Sequence, residues 1–390
     1  MYTVLTTCPD YGSRNVGDKL IEQKTKELIV HERGVSEFLT IFREEPLEPY
    51  LTEINGSRAI LMPAFPVRDA PMYPVTYRLV EDLDQIRVPM IPIGANWNVY
   101  PGDGQSREEV TYSQETMAFL RRVADQVDQL SCREFHACHV LEKHGIQNTL
   151  MTGDPAWFHL PALGEPMRRP TTLERVVFSP PLSPYYVDQA EALMRVLDSL
   201  APDAERICAM HLADAGDQEE ATVRSERSAA MTPAVAEKNR RVRALADELG
   251  FQVREMAGDL QALEVYETCD LHVGYECHAH ASFLSRRIPS ILIAEDARGV
   301  GFNYTLGVGR FDGFVRTPGS SGVARKEITS GYCTSLEEFA LAPARRDVHE
   351  EVGQFLSEEL GTGFRRYAGL ASYLDGVYRE VMRPFIQSLP

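Results

Sequence analysis

The side chains of this 390-residue chain best suited to chemistry stand at the ends of short apolar runs. Tyr275-Glu-Cys-His-Ala-His280 follows Leu271-His-Val-Gly274 directly and opens a helical stretch, so Glu276, His278 and His280 fall within a turn or so. At a helix N-terminus the dipole disfavours an imidazolium; His278 is expected to stay neutral and to give or take a proton. Two histidines at i and i+2 do not share a helical face, whereas helical zinc motifs use i and i+4, so no metal site is expected. The plainer reading is a structural histidine in a packed helix start.

Arginines and carboxylates occupy equivalent places elsewhere. Arg133 ends the short run Leu130-Ser-Cys132 and opens a helix, where a guanidinium can grip a carboxylate or phosphate bidentately or pair with a carboxylate of the protein. Asp154, in Gly153-Asp-Pro155, either works as a general base or caps a turn with proline at the first helical position. Asp296-Ala-Arg-Gly299 and Phe302-Asn-Tyr304 read as a loop after Ile291–Ile293, with Arg298 an anion-binding candidate. Near the N-terminus, Asn15-Val-Gly-Asp18 lies between a strand and a helix. Gly17 permits close backbone approach, the following amides suit an anion, and Asp18 can instead cap the helix. Arg14 joins the anion-binding candidates. Asn96, just beyond the run Met90–Gly94, joins Asn15, Gly17 and Asp18 as a substrate contact. There is no Walker A loop, GxGxxG, GxSxG, HExxH or EF-hand loop.

The elements that must hold these residues alternate. Strands are expected at 2–7, 38–42, 59–65, 90–94, 129–132 and 148–151, with helices over 19–31, 77–83, 112–126 and 133–144. After a Pro/Gly-rich linker, Leu160–Pro170, the pattern restarts: strands at 175–179, 206–211, 252–255, 271–274 and 290–293, and helices at 187–200, 236–249, 259–269 and 278–286. Helices over 335–340, 348–360 and 363–383 close the chain. Asp214–Val235 is polar and low in large apolar residues, and reads as an exposed insertion or lid. The expectation is two Rossmann-like, doubly wound α/β domains, 1–165 and 171–390, facing a cleft, with the motif loops at the carboxyl ends of the strands.

Composition narrows the function. With 57 acidic against 40 basic residues the net charge is −17, which disfavours nucleic acid and anionic lipid surfaces. Any anionic ligand must be met by a few local arginines or helix N-termini. Seven cysteines without a CxxC pair suggest reduced thiols in a cytoplasmic protein. The first residues lack a signal-peptide pattern, and no apolar stretch approaches the ~20 residues that span a bilayer. A membrane-linked substrate would require transient contact with the membrane surface, and a homo-oligomer is open.

The order of motifs resembles the polysaccharide pyruvyl transferase family. It runs from the early Asn-x-Gly-Asp loop and the strand near Ile60 through Val88-Pro-Met-Ile-Pro-Ile-Gly94, Leu130-Ser-Cys-Arg-Glu134 and Gly153-Asp-Pro155. It continues with Thr268-Cys-Asp-Leu-His-Val-Gly274, the His278 helix and Arg287-Ile-Pro-Ser-Ile291. The resemblance covers roughly residues 2–310. It implies a GT-B-like fold and transfer of a pyruvyl group from phosphoenolpyruvate, a donor substrate rather than a cofactor, to sugar hydroxyls. Arg133 matches the family's arginine in Ser-x-Arg-Glu, and His278 the histidine of its Arg-x-His. Two departures stand out. Glu276 replaces the arginine of Arg-x-His, and Pro63-Ala-Phe65 replaces a glycine-rich loop. An ionised Glu276 ~4 Å from the donor would repel it by about 4 kcal/mol at an effective dielectric of ~20. Either Arg14, Arg298 or Arg310 supplies the missing charge, or the donor differs. Two alternatives stand beside the pyruvyl transferase: a GT-B sugar-nucleotide glycosyltransferase with Glu276 on a hydroxyl, and a non-catalytic binding module that has lost the donor-binding arginine.

Overall fold

The computed structural model describes residues 1–9, 13–69, 72–211, 233–323, 333 and 335–390. The Asp214–Val235 insertion lies outside the described residues up to position 232, as do Tyr11 and Gly12 of the first loop.

Short β-branched and aromatic runs form the central strands, which are covered on both faces. Every residue of β1 (Tyr2–Thr6) is buried, as parallel sheets sandwiched between helices require. β2 (Phe38–Phe42), β3 (Ile60–Pro63) and a two-residue β4 (Pro66–Val67) follow. β5 (Met90–Ile93), β6 (Asn96–Trp97), β7 (Leu130–Cys132) and β8 (Thr149–Met151) complete the first half. The main sheet has the order β2-β1-β3-β5, all parallel. A parallel bridge from Ala95 to Cys132 carries it on to the β7-β8 pair. The second half contains β9 (Arg175–Ser179), β10 (Glu205–Met210), β11 (Gln252–Glu255), β12 (Leu271–Gly274), β13 (Ser290–Ala294) and β14 (Arg310–Asp312). Their order is β11-β10-β9-β12-β13-β14, again all parallel. Each sheet reverses direction once, between β1 and β3 and between β9 and β12. Ligands of such sheets bind off the carboxyl ends at that reversal. The result is a GT-B-like pair of doubly wound α/β units with C-terminal helices.

Four expected elements differ. No helix spans 77–83: the Tyr77, Arg78 and Leu79 backbone bonds instead to Met72, Arg43 and Leu47. Residues 259–269 form a 3₁₀ helix, Gln261–Thr268, rather than an α-helix. The loop expected at 296–304 is a helix, Ala297–Leu306, N-capped by Asp296. Its glycines, poor helix formers, permit close packing instead: a Cβ on Gly299 would lie 2.8 Å from Ala294 Cα. The helix expected over 363–383 starts later, at Leu370, after the left-handed pair Gly363 and Phe364 and a 3₁₀ turn, Arg365–Tyr367. Leu370–Val377 and Arg383–Ser388 return to the first domain.

One apolar core joins the two halves. It runs from Val4, Leu20 and Ile29 through Trp157 and Phe158 to Tyr378 and Ile386 and into the second sheet. A second cluster fills the other face of the first sheet. The returning helices are tied to the helix Val16–Arg33 by Glu32, whose carboxylate accepts from the Tyr378 hydroxyl, Arg383 Nε at 3.1 Å and Gln387 Nε2 at 2.9 Å. Against the upward push of burial, these partners hold the Glu32 pKa below its usual value. A carboxylate with a lowered folded pKa adds stability that is present above the unfolded value near 4.5 and is lost as pH falls through the folded one. Glu32→Ala is expected to cost about 1–3 kcal/mol at pH 7, seen as a lower Tm, with the gap to wild type closing toward pH 3. An unchanged Tm at pH 7 would show that the tie does not hold the helices.

Candidate functional site

The second-domain half of the site is built on the meeting of β9 and β12. A Cβ on Gly274 would lie 2.3 Å from the Ser179 carbonyl oxygen, so only glycine lets the strand ends touch. The Tyr275 amide donates to the Ser179 carbonyl (3.0 Å) and the Glu276 amide to Ser179 Oγ (3.1 Å). Ser179 Oγ is bonded in turn to His272 Nε2 at 2.8 Å, His272 Nδ1 to Ser290 Oγ at 2.7 Å, and Ser290 Oγ to His280 Nδ1 at 2.8 Å. This buried chain fixes the turn and assigns His280 to it.

Glu276 then stands at the N-cap of the helix Cys277–Ser285 without using its side chain to cap. It is buried, and its Oε1 has no hydrogen-bond partner. Burial pushes its pKa up to about 8, against the pull of Arg298 and with help from Glu295 and Asp18. The carboxyl is therefore largely uncharged at neutral pH, which removes the repulsion expected of an ionised glutamate. Both ring nitrogens of His278 also lack partners. Burial first, then the positive charges of Arg133 and Arg298, hold its pKa well below 6.5. The imidazole is neutral, as a helix start implies.

The first domain supplies the opposite wall. Asn15 N-caps the helix Val16–Arg33, its Oδ1 accepting the Gly17 amide at 2.8 Å, while Asp18 Oδ2 accepts the Ser13 hydroxyl at 2.6 Å. Asn15, not Asp18, is thus the cap. Gly17 packs on His278 across the domain boundary: a Cβ there would fall 1.9 Å from His278 Nδ1. Two more glycines make the same close approach: Gly102 on Ala297, and Gly301 on Glu134, the N-cap of the helix Phe135–Lys143. Arg133 is buried with its guanidinium 4.8 Å from the centre of the Phe302 ring of the second domain. One terminal nitrogen lies 3.5 Å from Asp154 Oδ2, whereas Nε and the other terminal nitrogen have no partner. Asp154 caps the turn through Oδ1, which accepts the Ala156 amide at 2.8 Å. Burial raises the Asp154 pKa and the facing Arg133 opposes that rise. Asp154 thus orients Arg133. Arg298 is held in a bidentate grip by Asp296, 2.5 Å at the closest.

Glu276, His278, Arg133, Arg298, Gly17 and Asp18 therefore converge. Asn15 and Asp154 adjoin them, through Gly17 and Arg133, whereas Asn96, Arg14 and Arg310 lie apart. The Asn96 side-chain amide donates to the Ala64 and Phe65 carbonyls, inside the first domain. Arg14 faces the turn at Gly258, where Lys19 Nζ also bonds the Gly258 carbonyl at 2.9 Å. Arg310 lies over the Tyr304 ring. Sequence reasoning missed three contributors. Glu295 accepts the Leu182 and Ser183 amides, both at 2.9 Å, closing the loop after β9. Lys238, buried on its helix, donates to the Pro181 carbonyl at 2.6 Å and acts on Glu276. His211 directly follows β10 and bonds Tyr266. None sits in a motif; only the strand-end position of His211 and Glu295 was a signal. Among the described residues, no three His, Cys, Asp or Glu side chains form a cluster suited to a metal ion, and no helix is long and apolar enough to cross a membrane.

Two facing, doubly wound domains with a polar constellation at their shared strand ends define a GT-B-like α/β protein. The family model for polysaccharide pyruvyl transferases matches residues 65–297, more than half of the chain, and the chain belongs to that family and is a transferase. The match includes Arg133, Asp154, Glu276 and His278. No curated protein matches. Among solved structures, UDP-GlcNAc 2-epimerase from Neisseria meningitidis bound to UDP-GlcNAc is similar at 9% identity, over 99% of both chains, with a TM-score of 0.49. HepE of Anabaena in complex with UDP and glucose is similar at 11% identity, over 99% of this chain and 96% of that one, with a TM-score of 0.44. MnaA of S. aureus with UDP is similar at 11% identity, over 95% and 93%, with a TM-score of 0.43.

Two outcomes test this geometry. Alanine in place of a helical glycine ordinarily stabilises by about 1 kcal/mol. Gly17→Ala should instead lower stability by about 1–3 kcal/mol, because the methyl overpacks His278; a raised Tm would contradict the contact. For Glu276, the folded pKa lies above the unfolded value of 4.5, so the native state holds a proton the unfolded chain has lost. Stability therefore falls as pH rises from about 4.5 to about 8. Glu276→Gln, which cannot ionise, should melt above wild type at pH 8, with the difference shrinking toward pH 5. Equal melting at both pH values would contradict an uncharged Glu276.

Proposed function

We propose that this protein transfers the pyruvyl group of phosphoenolpyruvate to a pair of hydroxyls on a sugar or glycan precursor, forming a pyruvate ketal and releasing phosphate. The observation that carries this reading is an uncharged, unpartnered carboxyl at Glu276 and a neutral, unpartnered imidazole at His278. His278 feels the charge of Arg133, whose Nε and one terminal nitrogen are unpartnered, and Glu276 that of Arg298. The reaction calls for this set: positive charge for an anionic donor, an acid for the enol methylene, and a base for the hydroxyl.

In this scheme the partnerless Nε and terminal nitrogen of Arg133 bind a carboxylate or phosphate edge of the donor as a fork. Arg298 adds charge from the other domain and replaces the arginine that Glu276 displaces. Glu276 gives its proton to the methylene carbon. His278 takes the proton of the first acceptor hydroxyl as its oxygen bonds to C2. The C2–O bond to phosphate then breaks, its electron pair leaving with the phosphate. The second hydroxyl bonds to C2 and completes the ketal, and its proton returns to Glu276. The proton on His278 leaves with the phosphate. The scheme uses side chains only, with no metal or resident cofactor, and a donor made in the cytoplasm places the reaction there.

The scheme sets a pH profile. Activity requires protonated Glu276, so kcat/KM should fall on the alkaline side with an apparent pKa near 8. His278 should contribute no acid limb near 6.5, because it stays neutral there. Phosphate release from phosphoenolpyruvate in the presence of glycan acceptors measures this. His278→Ala and Glu276→Gln should each lower the rate by about 10²–10⁴-fold. Thermal stabilisation by UDP and nucleotide sugars, with none by phosphoenolpyruvate, would overturn the donor.

A further inference from the structure

His211 was not among the residues expected to do chemistry, yet it directly follows β10, the neighbour of β9 at the reversal point of the second sheet. It is buried, with 3% of its surface exposed. Its carbonyl oxygen accepts the amide of Val16, the first residue of the helix Val16–Arg33, at 3.4 Å. The residue after Val16 is Gly17, which packs on His278. His211 and His278 therefore flank the same helix start, and His211 acts electrostatically on His278.

The ring of His211 is fixed on one side only. Nε2 is bonded to the Tyr266 hydroxyl at 2.6 Å, and the two rings lie nearly parallel, 17° apart with centres at 6.2 Å. Tyr266 is itself fully buried against Phe283, with ring centres 4.6 Å apart. Nδ1 of His211 is buried without a partner. A phenol has one proton to donate, and among the described residues the Tyr266 hydroxyl bonds only to Nε2. Donation to Nε2 leaves the ring proton on Nδ1. A buried N–H with no acceptor is costly unless a ligand supplies one.

We propose that His211 is a further ligand-binding residue of this site, its Nδ1–H donating a hydrogen bond to an anionic oxygen of the bound donor. This rests on the phosphoenolpyruvate reading above. Tyr266 is the positioning residue that fixes the tautomer. An uncharged donor here adds a directed contact to the charge supplied by the two arginines.

Calorimetric titration of the full-length protein with phosphoenolpyruvate tests it, with ¹⁵N spectra of the His211 ring in the ligand-free protein as a readout that needs no variant. The Nδ1–H tautomer is expected; an Nε2–H tautomer overturns the proposal. His211→Ala should weaken binding about ten- to hundred-fold, the range for a hydrogen bond to a charged group. His211→Asn places an amide N–H near the lost Nδ1–H and should recover part of that loss. Tyr266→Phe, which keeps the ring and its packing, should turn His211 into a tautomer mixture and weaken binding less than His211→Ala. Unchanged affinity in His211→Ala, or an equal loss in His211→Ala and His211→Asn with wild-type melting in both, overturns the inference alone. A wild-type protein that does not bind phosphoenolpyruvate overturns the donor reading, and this inference with it.

Discussion

A helix start from each domain meets at one point, where the missing side chain of Gly17 lets its backbone stand against the His278 ring. The rest of the site depends on that contact. It brings Asp18 of the first domain within electrostatic reach of Glu276, and Arg133 of the first domain within reach of His278. Gly102 on Ala297 and Gly301 on Glu134 use the same device further along the seam. Three close approaches between rigid elements fix the register of the domains more sharply than apolar packing alone, because apolar contacts are non-directional. Two converging helix N-termini also give the seam a positive field before any side chain is counted.

Charge is arranged around that field in a consistent way. The two arginines that face the centre are each held by a carboxylate of their own domain, Arg133 by Asp154 and Arg298 by Asp296. The third central acid, Glu276, has no such partner and takes up a proton instead. A buried ionised carboxylate without a partner costs far more than a neutral one. The replacement of a family arginine by glutamate therefore does not reverse the charge of the site at neutral pH. It exchanges a fixed cation for an acid.

Much of the fold was legible because the strands are short, most have an apolar centre, and they are bounded by glycine, proline or polar residues. Arg175–Ser179, Val187–Leu200, Gln252–Glu255 and Leu271–Gly274 fall where the sequence places them. Ala297–Leu306 was not legible, since Gly299 and Gly301 argue against a helix locally and their purpose is tertiary. The residues at strand ends were readable as candidates: Arg133, Glu276, His278 and Arg298 do converge. Their protonation was not, because the pKa of Glu276 follows from burial and from Asp18 and Glu295, distant in sequence. His211 and Lys238 belong to no motif, and only the fold brings them to the seam.

The chemistry of the site turns on Glu276 being a neutral acid in the folded protein. A ¹³C titration of glutamate side-chain carboxyls, with Glu276→Gln to assign the signal, measures this directly. One glutamate titrating near pH 8, absent from Glu276→Gln, is the predicted result. A Glu276 carboxyl that titrates in the ordinary carboxylate range, near 4.5, would contradict the account.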